Sequence, residues 1–192
     1  MILELFLYYE KDGSRRFTEL VYFTGRKSGK TMIAAIISFY LALECGYAAP
    51  EVYFAASGVQ QSSILLKYCK DVQSYSKYLS ARCDEKAHHI NTINRGFFKA
   101  VANKVGGELD GKKPLITVLD ECHALPDNQL RSAFSTGMGW STDTLFVTIS
   151  TAGNNTMNYF YDQIKSGKRI LETDSDEDDK TLYILFTLDH GS

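Results

Sequence analysis

The chain has 192 residues, a length suited to one well-buried α/β domain. Its formal charge of −2 and its pI of about 6.1 exclude a globally basic nucleic-acid-binding protein, so any DNA contact would have to be local. No uncharged apolar run is long enough to span a membrane, the N-terminus lacks a basic signal-peptide region, and the 4 cysteines lack zinc spacing.

The first predicted strand covers residues 19–24, and a glycine-containing loop follows it. The order strand, loop, Gly-Lys-Thr and helix is the one that builds a phosphate-binding loop. Backbone N–H groups would bind phosphate, Lys30 would reach the β- and γ-phosphates, and the Thr31 hydroxyl would ligate Mg²⁺. The usual pattern has a glycine in place of Thr24, so a second site element is needed. The predicted nucleotide-binding residues are Thr24, Gly25, Arg26, Lys27, Ser28, Gly29, Lys30 and Thr31.

Strands and helices alternate along the rest of the chain. This alternation predicts an α/β fold with a mostly parallel central sheet, helices on both faces, and a single domain over residues 1–192. Strands are predicted at 51–56, at two places within 88–101, and at 115–120, 144–149 and 181–188. Helices are predicted at 31–45, 59–81, 127–136 and 157–165, and the acidic run 174–180 is predicted to be a solvated surface turn.

Two acids end the apolar run of residues 115–119. The pattern predicts a buried parallel strand that delivers Asp120 and Glu121 to its carboxyl end. In a P-loop ATPase, Asp120 would hold Mg²⁺, usually through water, and Glu121 would orient and polarise the attacking water. The alternative is that both acids only cap the next helix. His123 is interpreted as a helix-start or packing residue, because Glu121 already fills the water-activating role.

A third polar motif follows the strand at 144–149. In an open parallel sheet the ligand lies at the carboxyl ends of the strands, where the first two motifs also end. The third motif would be an ordinary polar turn by itself, but beside the other two it predicts a γ-phosphate sensor that couples hydrolysis to movement. The predicted sensor residues are Ser150, Thr151, Ala152 and Gly153.

These three motifs, in this order, resemble those of the large terminase subunit of tailed bacteriophages, the ATPase motor that packages DNA into the procapsid. The residues Gly-Ser-Arg-Arg-Phe at 13–17 lead into the first strand as in that family. Residues 25–31 are similar to its variant Walker A motif, in which the first glycine is often missing and an arginine comes early. Residues 119–124, Leu-Asp-Glu-Cys-His-Ala, resemble its Walker B motif, and residues 150–153 resemble its coupling motif.

The resemblance implies a RecA-like P-loop fold of the additional-strand (ASCE) class, with ATP and Mg²⁺ as cofactors. Double-stranded DNA, the portal protein and procapsid, the small terminase subunit and neighbouring copies in a ring are the implied partners, in the cytoplasm of the host and without a membrane. The family also has an adenine-contacting segment upstream and a C-terminal nuclease domain. Neither is expected within these 192 residues, so a motor domain or fragment is predicted.

Several cations have two interpretations. Arg26 would either stabilise transition-state charge on the phosphates or bond to a neighbouring acid, and the resemblance favours the first role. The family also implies an arginine finger from the next subunit, for which the candidates are Arg95, Arg131, Lys112 and Lys113. A loosely basic region would either contact the DNA backbone or form a solvated face, and its members are Lys99, Lys104, Lys112 and Lys113.

Two other functions fit part of the pattern. Asp-Glu-Cys-His at 120–123 also matches the DExH box of a superfamily 2 helicase, although such an enzyme needs a second RecA-like domain. A non-catalytic nucleotide-binding or assembly module is the other alternative, because the adenine-contacting segment is not expected within the chain.

Overall fold

The computed structural model describes residues 4–101, 112–125, 127–139, 141–152, 158–173, 175 and 177–187. The strands in this part of the chain are β1 (Glu19–Phe23), β2 (Glu51–Ala55), β3 (Cys83–Glu85), β4 (His89–Thr92), β5 (Phe97–Val101), β6 (Pro114–Asp120), β7 (Leu145–Ser150) and β8 (Thr181–Leu185). The helices are α1 (Glu4–Leu7), α2 (Lys30–Glu44), α3 (Val59–Tyr75), α4 (Lys77–Ser80), α5 (Gln129–Met138) and α6 (Tyr159–Thr173), with a 3₁₀ turn at Cys122–Ala124.

All the strands belong to one sheet with the order β3-β4-β5-β2-β6-β7-β1-β8. The strands from β5 to β8 in this order are parallel, and β3 and β4 pair antiparallel at one edge. The prediction of a mostly parallel sheet is confirmed. Strand β7 lies between β1, which leads into the phosphate loop, and β6, which ends at Asp120 directly before Glu121. This inserted strand is the arrangement that defines the additional-strand class.

Helices cover both faces of the sheet, as predicted. Successive strand residues point to opposite faces, so the buried strands of the centre feed two separate cores. On one face Leu20 lies in a buried cluster with residues of α2 and α3. On the other face the neighbouring Val21 lies in a second cluster with Phe134 of α5 and Phe160 of α6. The two cores hold the carboxyl ends of β1, β6 and β7 in fixed positions, which is what a site built there requires.

Helix α6 packs against β8 through Gly167, which is buried. A Cβ atom added there would lie 2.3 Å from Cδ1 of Tyr183. We therefore expect Gly167→Ala to lower the free energy of unfolding by about 1–3 kcal/mol. Helix propensity alone predicts the opposite sign, a gain of up to about 1 kcal/mol. Urea unfolding followed by circular dichroism measures the change, with the exposed Lys165→Ala as the control. Equal or higher stability of Gly167→Ala would contradict the packing argument.

The single helix predicted over residues 59–81 is wrong. The chain leaves helical geometry at Ser76, whose φ of −105° and ψ of 112° are extended. The Ser76 side chain accepts a hydrogen bond from the Leu79 N–H at 3.3 Å and so caps the start of α4. Serine is favoured at a helix start, because its hydroxyl accepts a hydrogen bond from a backbone N–H that has no carbonyl partner within the helix. Strand β3, which follows α4, was also not predicted.

The segment before β1 is part of the folded domain. Arg15 is only 1% exposed, and its guanidinium donates to the Leu5 carbonyl at 2.7 Å and to the Tyr47 hydroxyl at 3.3 Å. Arg16 pairs with Asp179 at 2.6 Å, so the predicted acidic surface turn is tied to this segment. The Gly-Ser-Arg-Arg-Phe lead-in therefore has a structural role that composition did not indicate.

Other predicted boundaries differ from the structure by a few residues. The largest difference is α6, which continues to Thr173 rather than ending near Lys165. Parts of the predicted elements lie outside the described residues, namely Met157, Asp174, Asp176 and Leu188. Within the described ranges no helix combines the length and apolar content that a membrane crossing needs. All 4 cysteines are free thiols.

Candidate nucleotide site

A cleft of about 570 Å³ opens at the carboxyl end of the parallel strands. The three predicted motifs meet in it, because β1, β6 and β7 are neighbours and end at the same edge of the sheet. Helix α3 contributes Gln61 and Ile64, which the sequence did not single out. The remaining lining residues are Arg26, Lys27, Ser28, Gly29, Lys30, Thr31, Asp120, Glu121, His123, Ala124 and Thr151.

The loop between β1 and α2 has the backbone shape of an anion site. Lys27 and Gly29 both have left-handed conformations, with φ of 64° and 83°. Left-handed residues in such a loop turn successive N–H groups toward one point. Gly29 is also the N-cap of α2 and places no side chain over the helix end, so the positive end of a 15-residue helix faces the cleft.

Lys30 joins the loop to the two acids. Its Nζ lies 2.9 Å from Oδ1 of Asp120 and 2.6 Å from Oε1 of Glu121. Burial acts to lower the pKa of the Lys30 ammonium, but the hydrogen bonds to Glu121 and Asp120 outweigh it, so that pKa is raised. Burial also raises the pKa of the Asp120 carboxyl, against the opposing effect of Lys30. The lysine predicted to bind phosphate is thus a charged group at the centre of the site, paired with both acids.

Glu121 is held by its backbone in an unusual conformation. Its φ of 53° is left-handed, which is rare for a residue with a side chain. Its N–H donates to the Ile149 carbonyl at 3.1 Å and to Oδ1 of Asp120 at 2.8 Å. Neither acid has a capping side chain: Glu121 stands at the N-cap position of the 3₁₀ turn without a side-chain cap hydrogen bond, and α5 begins only at Gln129, whose N–H is bonded to Asp127.

The third motif lies beside the second. Ser150 is completely buried, its carbonyl accepts the Thr24 N–H at 3.2 Å, and Thr151 lines the cleft. Thr24 is itself buried behind the loop, so it acts through its backbone. Gly25 and Ala152 are exposed and do not line the cleft, and Gly153 lies outside the described residues.

His123 is more closely connected to the site than the packing interpretation implied. Its Nδ1 lies 3.0 Å from the Ser150 hydroxyl and 3.2 Å from Oε2 of Glu121. Its backbone N–H also donates to the same hydroxyl at 3.2 Å. His123 comes three residues after Asp120 in the sequence, but only the pairing of β6 with β7 brings the Ser150 hydroxyl within its reach.

Arg26 lines the cleft and, among the described residues, has no ion pair with an acid. This supports the phosphate interpretation of Arg26.

The four candidates for the arginine finger lie elsewhere. Arg131 pairs with Glu19 at 2.6 Å, at the amino end of β1. Arg95, Lys112 and Lys113 precede β5 and β6 and so lie at that same amino edge. None of the four belongs to this chain's own cleft, and Lys104 lies outside the described residues.

The donor set fits Mg²⁺ bound together with phosphates. Mg²⁺ in such sites takes one or two carboxylates and completes its shell with phosphate oxygens and water. Asp120 and the hydroxyl of Thr31 both line the cleft and supply oxygen donors of this kind. In the described part of the chain, no group of three or more His, Cys, Asp or Glu side chains forms a metal cage. The residues therefore suit a metal that arrives with a nucleotide.

The inserted strand β7, the phosphate loop and the two acids at the carboxyl end of β6 together define a P-loop ATPase of the additional-strand, RecA-like class. The family model described as "Terminase large subunit, ATPase domain" matches residues 2–169. The chain belongs to this family. Of the two families considered, the match supports the terminase and not the superfamily 2 helicase.

Solved structures share the fold. The large terminase of bacteriophage HK97 is 17% identical, with a TM-score of 0.78 over 99% of this chain and 39% of that chain. The large terminase of a thermophilic bacteriophage, in complex with ATP-γ-S, is 12% identical, with a TM-score of 0.66 over 98% of this chain and 44% of that chain. The large terminase ATPase domain of Thermus phage P74-26 is 16% identical, with a TM-score of 0.58 over 83% and 71%.

This chain spans about two fifths of the HK97 terminase and of the terminase solved with ATP-γ-S. No curated protein matches it in sequence.

Proposed function

We propose that this chain hydrolyses ATP with Mg²⁺ and that the hydrolysis drives viral double-stranded DNA into a procapsid. The observation that carries the proposal is the meeting of Lys30 with Asp120 and Glu121 in the cleft that the phosphate loop lines. Family membership and the thermophilic-phage terminase complex with ATP-γ-S support ATP as the ligand.

Each side chain has a distinct task in this proposal. The backbone of residues 24–31 cradles the phosphates, and Lys30 leaves the two acids to bind the β- and γ-phosphates. Asp120 and Thr31 hold Mg²⁺, which neutralises charge on the phosphates when bound. Glu121 directs water at the γ-phosphate, and Arg26 stabilises the charge that develops on it. The loop at 150–153 responds to loss of the γ-phosphate and passes the change to surfaces that grip DNA.

The partners follow from the family. We propose that the chain works as one ATPase domain in a ring of copies, with the portal and procapsid on one side and the small terminase subunit recruiting DNA, in the host cytoplasm. The finger candidates Arg95, Arg131, Lys112 and Lys113 lie at the amino edge, from which they would have to reach the cleft of a neighbouring copy. Arg131 is the least suited, because Glu19 already holds it.

Phosphate release from ATP tests the proposal. The purified chain is assayed with Mg²⁺ or with EDTA, and with or without linear double-stranded DNA and procapsids. We expect Mg²⁺-dependent hydrolysis that DNA and procapsids increase. Absence of hydrolysis at high protein concentration with every component present would favour the non-catalytic module. Strand separation of a duplex, without stimulation by procapsids, would favour a helicase.

Asp120→Asn tests the proposed metal site. The amide keeps the size of the carboxylate but loses the charge that holds the hydrated ion. We expect the Mg²⁺ concentration for half-maximal hydrolysis to rise by roughly 10–100-fold. The matched control is Asp162→Asn, whose side chain is 76% exposed on α6. An unchanged Mg²⁺ dependence of Asp120→Asn would remove Asp120 from the metal site.

A further inference from the structure

We infer that His123 is a positioning residue that aims the Glu121 carboxylate and links it mechanically to Ser150. This inference rests on the proposed function, since it assigns a role within that reaction. It also departs from the interpretation of His123 as a packing residue. The ring contacts Glu121 of the second motif and Ser150 of the third, lines the same cleft as the phosphate loop, and is 17% exposed.

The hydrogen-bond geometry fixes the state of the ring. Oε2 of Glu121 lies 3.2 Å from Nδ1, which is close enough for electrostatic attraction when Nδ1 carries a proton. The Ser150 hydroxyl, 3.0 Å from Nδ1, already accepts the His123 backbone N–H and donates to the Thr151 carbonyl. The single hydroxyl proton of Ser150 is thus used, so Nδ1 must donate to this hydroxyl and carry a proton, which also faces the Glu121 carboxylate.

The two oxygens of Glu121 have different partners. Lys30 holds Oε1 at 2.6 Å and His123 holds Oε2 at 3.2 Å. When phosphate draws Lys30 away, His123 remains as the side-chain partner of Glu121 among the contacts of the described residues. Oε1 then becomes free to accept a hydrogen bond from water, while Oε2 stays fixed. A carboxylate held by one oxygen and open at the other suits a water-directing base.

His123 also connects this carboxylate to two other elements. The Ser150 carbonyl holds the start of the phosphate loop through the Thr24 N–H at 3.2 Å. The His123 carbonyl accepts from the Asn158 side chain at 2.9 Å, and the other end of that side chain caps α6 at Tyr161. A rotation of Glu121 on phosphate release thus displaces the 3₁₀ turn at Cys122–Ala124. Through His123, this turn is bonded both to Ser150 at the end of β7 and to Asn158 at the start of α6.

Kinetics of three single variants and one double variant test the role. We expect His123→Ala to lower kcat by about 10²-fold, a loss typical of a misplaced catalytic group, with nucleotide Kd nearly unchanged. His123→Asn puts an amide N–H close to the Nδ1 position and should restore much of kcat. Ser150→Ala combined with His123→Ala should cost less than the product of the two single effects, because the residues act together.

Three kinetic results would overturn the inference: a wild-type kcat in His123→Ala, equal losses in the Ala and Asn variants, or fully multiplicative effects with Ser150→Ala. Proton–nitrogen NMR of the histidine rings gives a readout that needs no hydrolysis. We expect the His123 ring, assigned by its loss in His123→Asn, to carry its proton on Nδ1. An Nε2–H tautomer would refute the inference. Lack of hydrolysis by the wild-type chain would instead count against the proposed function.

Discussion

Replacing Glu121 with glutamine is expected to lower kcat for ATP hydrolysis by about 10²–10⁴-fold, the usual contribution of a general base. Glutamine has the same shape and the same cost in the left-handed conformation at φ 53°, so the fold should be unaffected. The amide cannot accept a proton from water, which is the reason for the loss. Nucleotide affinity should be preserved or slightly increased, because Lys30 no longer has this carboxylate as a competing partner.

Phosphate release and binding of a fluorescent ATP analogue separate the two effects in Glu121→Gln. Glu172→Gln is the matched control, since that glutamate is 62% exposed on α6 and forms only a surface pair with Lys168. Wild-type turnover in Glu121→Gln would show that another group activates the water. A parallel loss of affinity would show that Glu121 serves binding rather than chemistry.

Replacing Lys30 with alanine is expected to lower kcat/KM by about 10²–10³-fold, the cost of removing one preorganised donor from a site of developing negative charge. Nucleotide affinity should fall as well, in contrast to Glu121→Gln, because the ammonium contacts phosphate in the ground state and the transition state alike. The change also leaves the carboxylates of Asp120 and Glu121 without their shared cation.

The surface change Lys168→Ala serves as the control for Lys30→Ala, since Lys168 is 61% exposed on α6 and does not line the cleft. Circular dichroism checks that both variants fold. Isothermal titration with ATP-γ-S then gives the affinity without turnover. If Lys30→Ala binds the analogue as tightly as the wild type, the ammonium does not contact the phosphates, and its pairing with the acids is purely structural.

The sequence predicted the centre of the site because the chemistry is concentrated in short motifs at strand ends. Asp120 and Ser150 lie far from the phosphate loop along the chain, yet a parallel sheet brings all three ends to one edge. Alternation of apolar runs with helical patterns was sufficient for this conclusion. The relative order of strands did not follow from alternation, and the family resemblance implied only the additional-strand class.

What the sequence did not predict depends on three-dimensional contacts of individual side chains. The role of Ser76 as a cap arises because its hydroxyl finds the Leu79 N–H, while the apolar spacing around it favours an uninterrupted helix. An arginine such as Arg15 would ordinarily be expected at the surface. Here its guanidinium donates instead to the Leu5 carbonyl and to the Tyr47 hydroxyl, which come from other segments of the chain. His123 follows two acids that already account for the chemistry, and only the register of β7 beside β6 places Ser150 within its reach.

The left-handed backbone at Glu121 has a consequence for how this domain tolerates change. A side chain in that conformation costs roughly 1–2 kcal/mol compared with glycine, so the fold would gain stability from losing the residue that the reaction needs. Selection for thermal robustness alone would therefore erode activity at this position. The domain illustrates a stability–activity trade-off confined to one φ angle, and engineering for higher Tm should leave this turn unaltered.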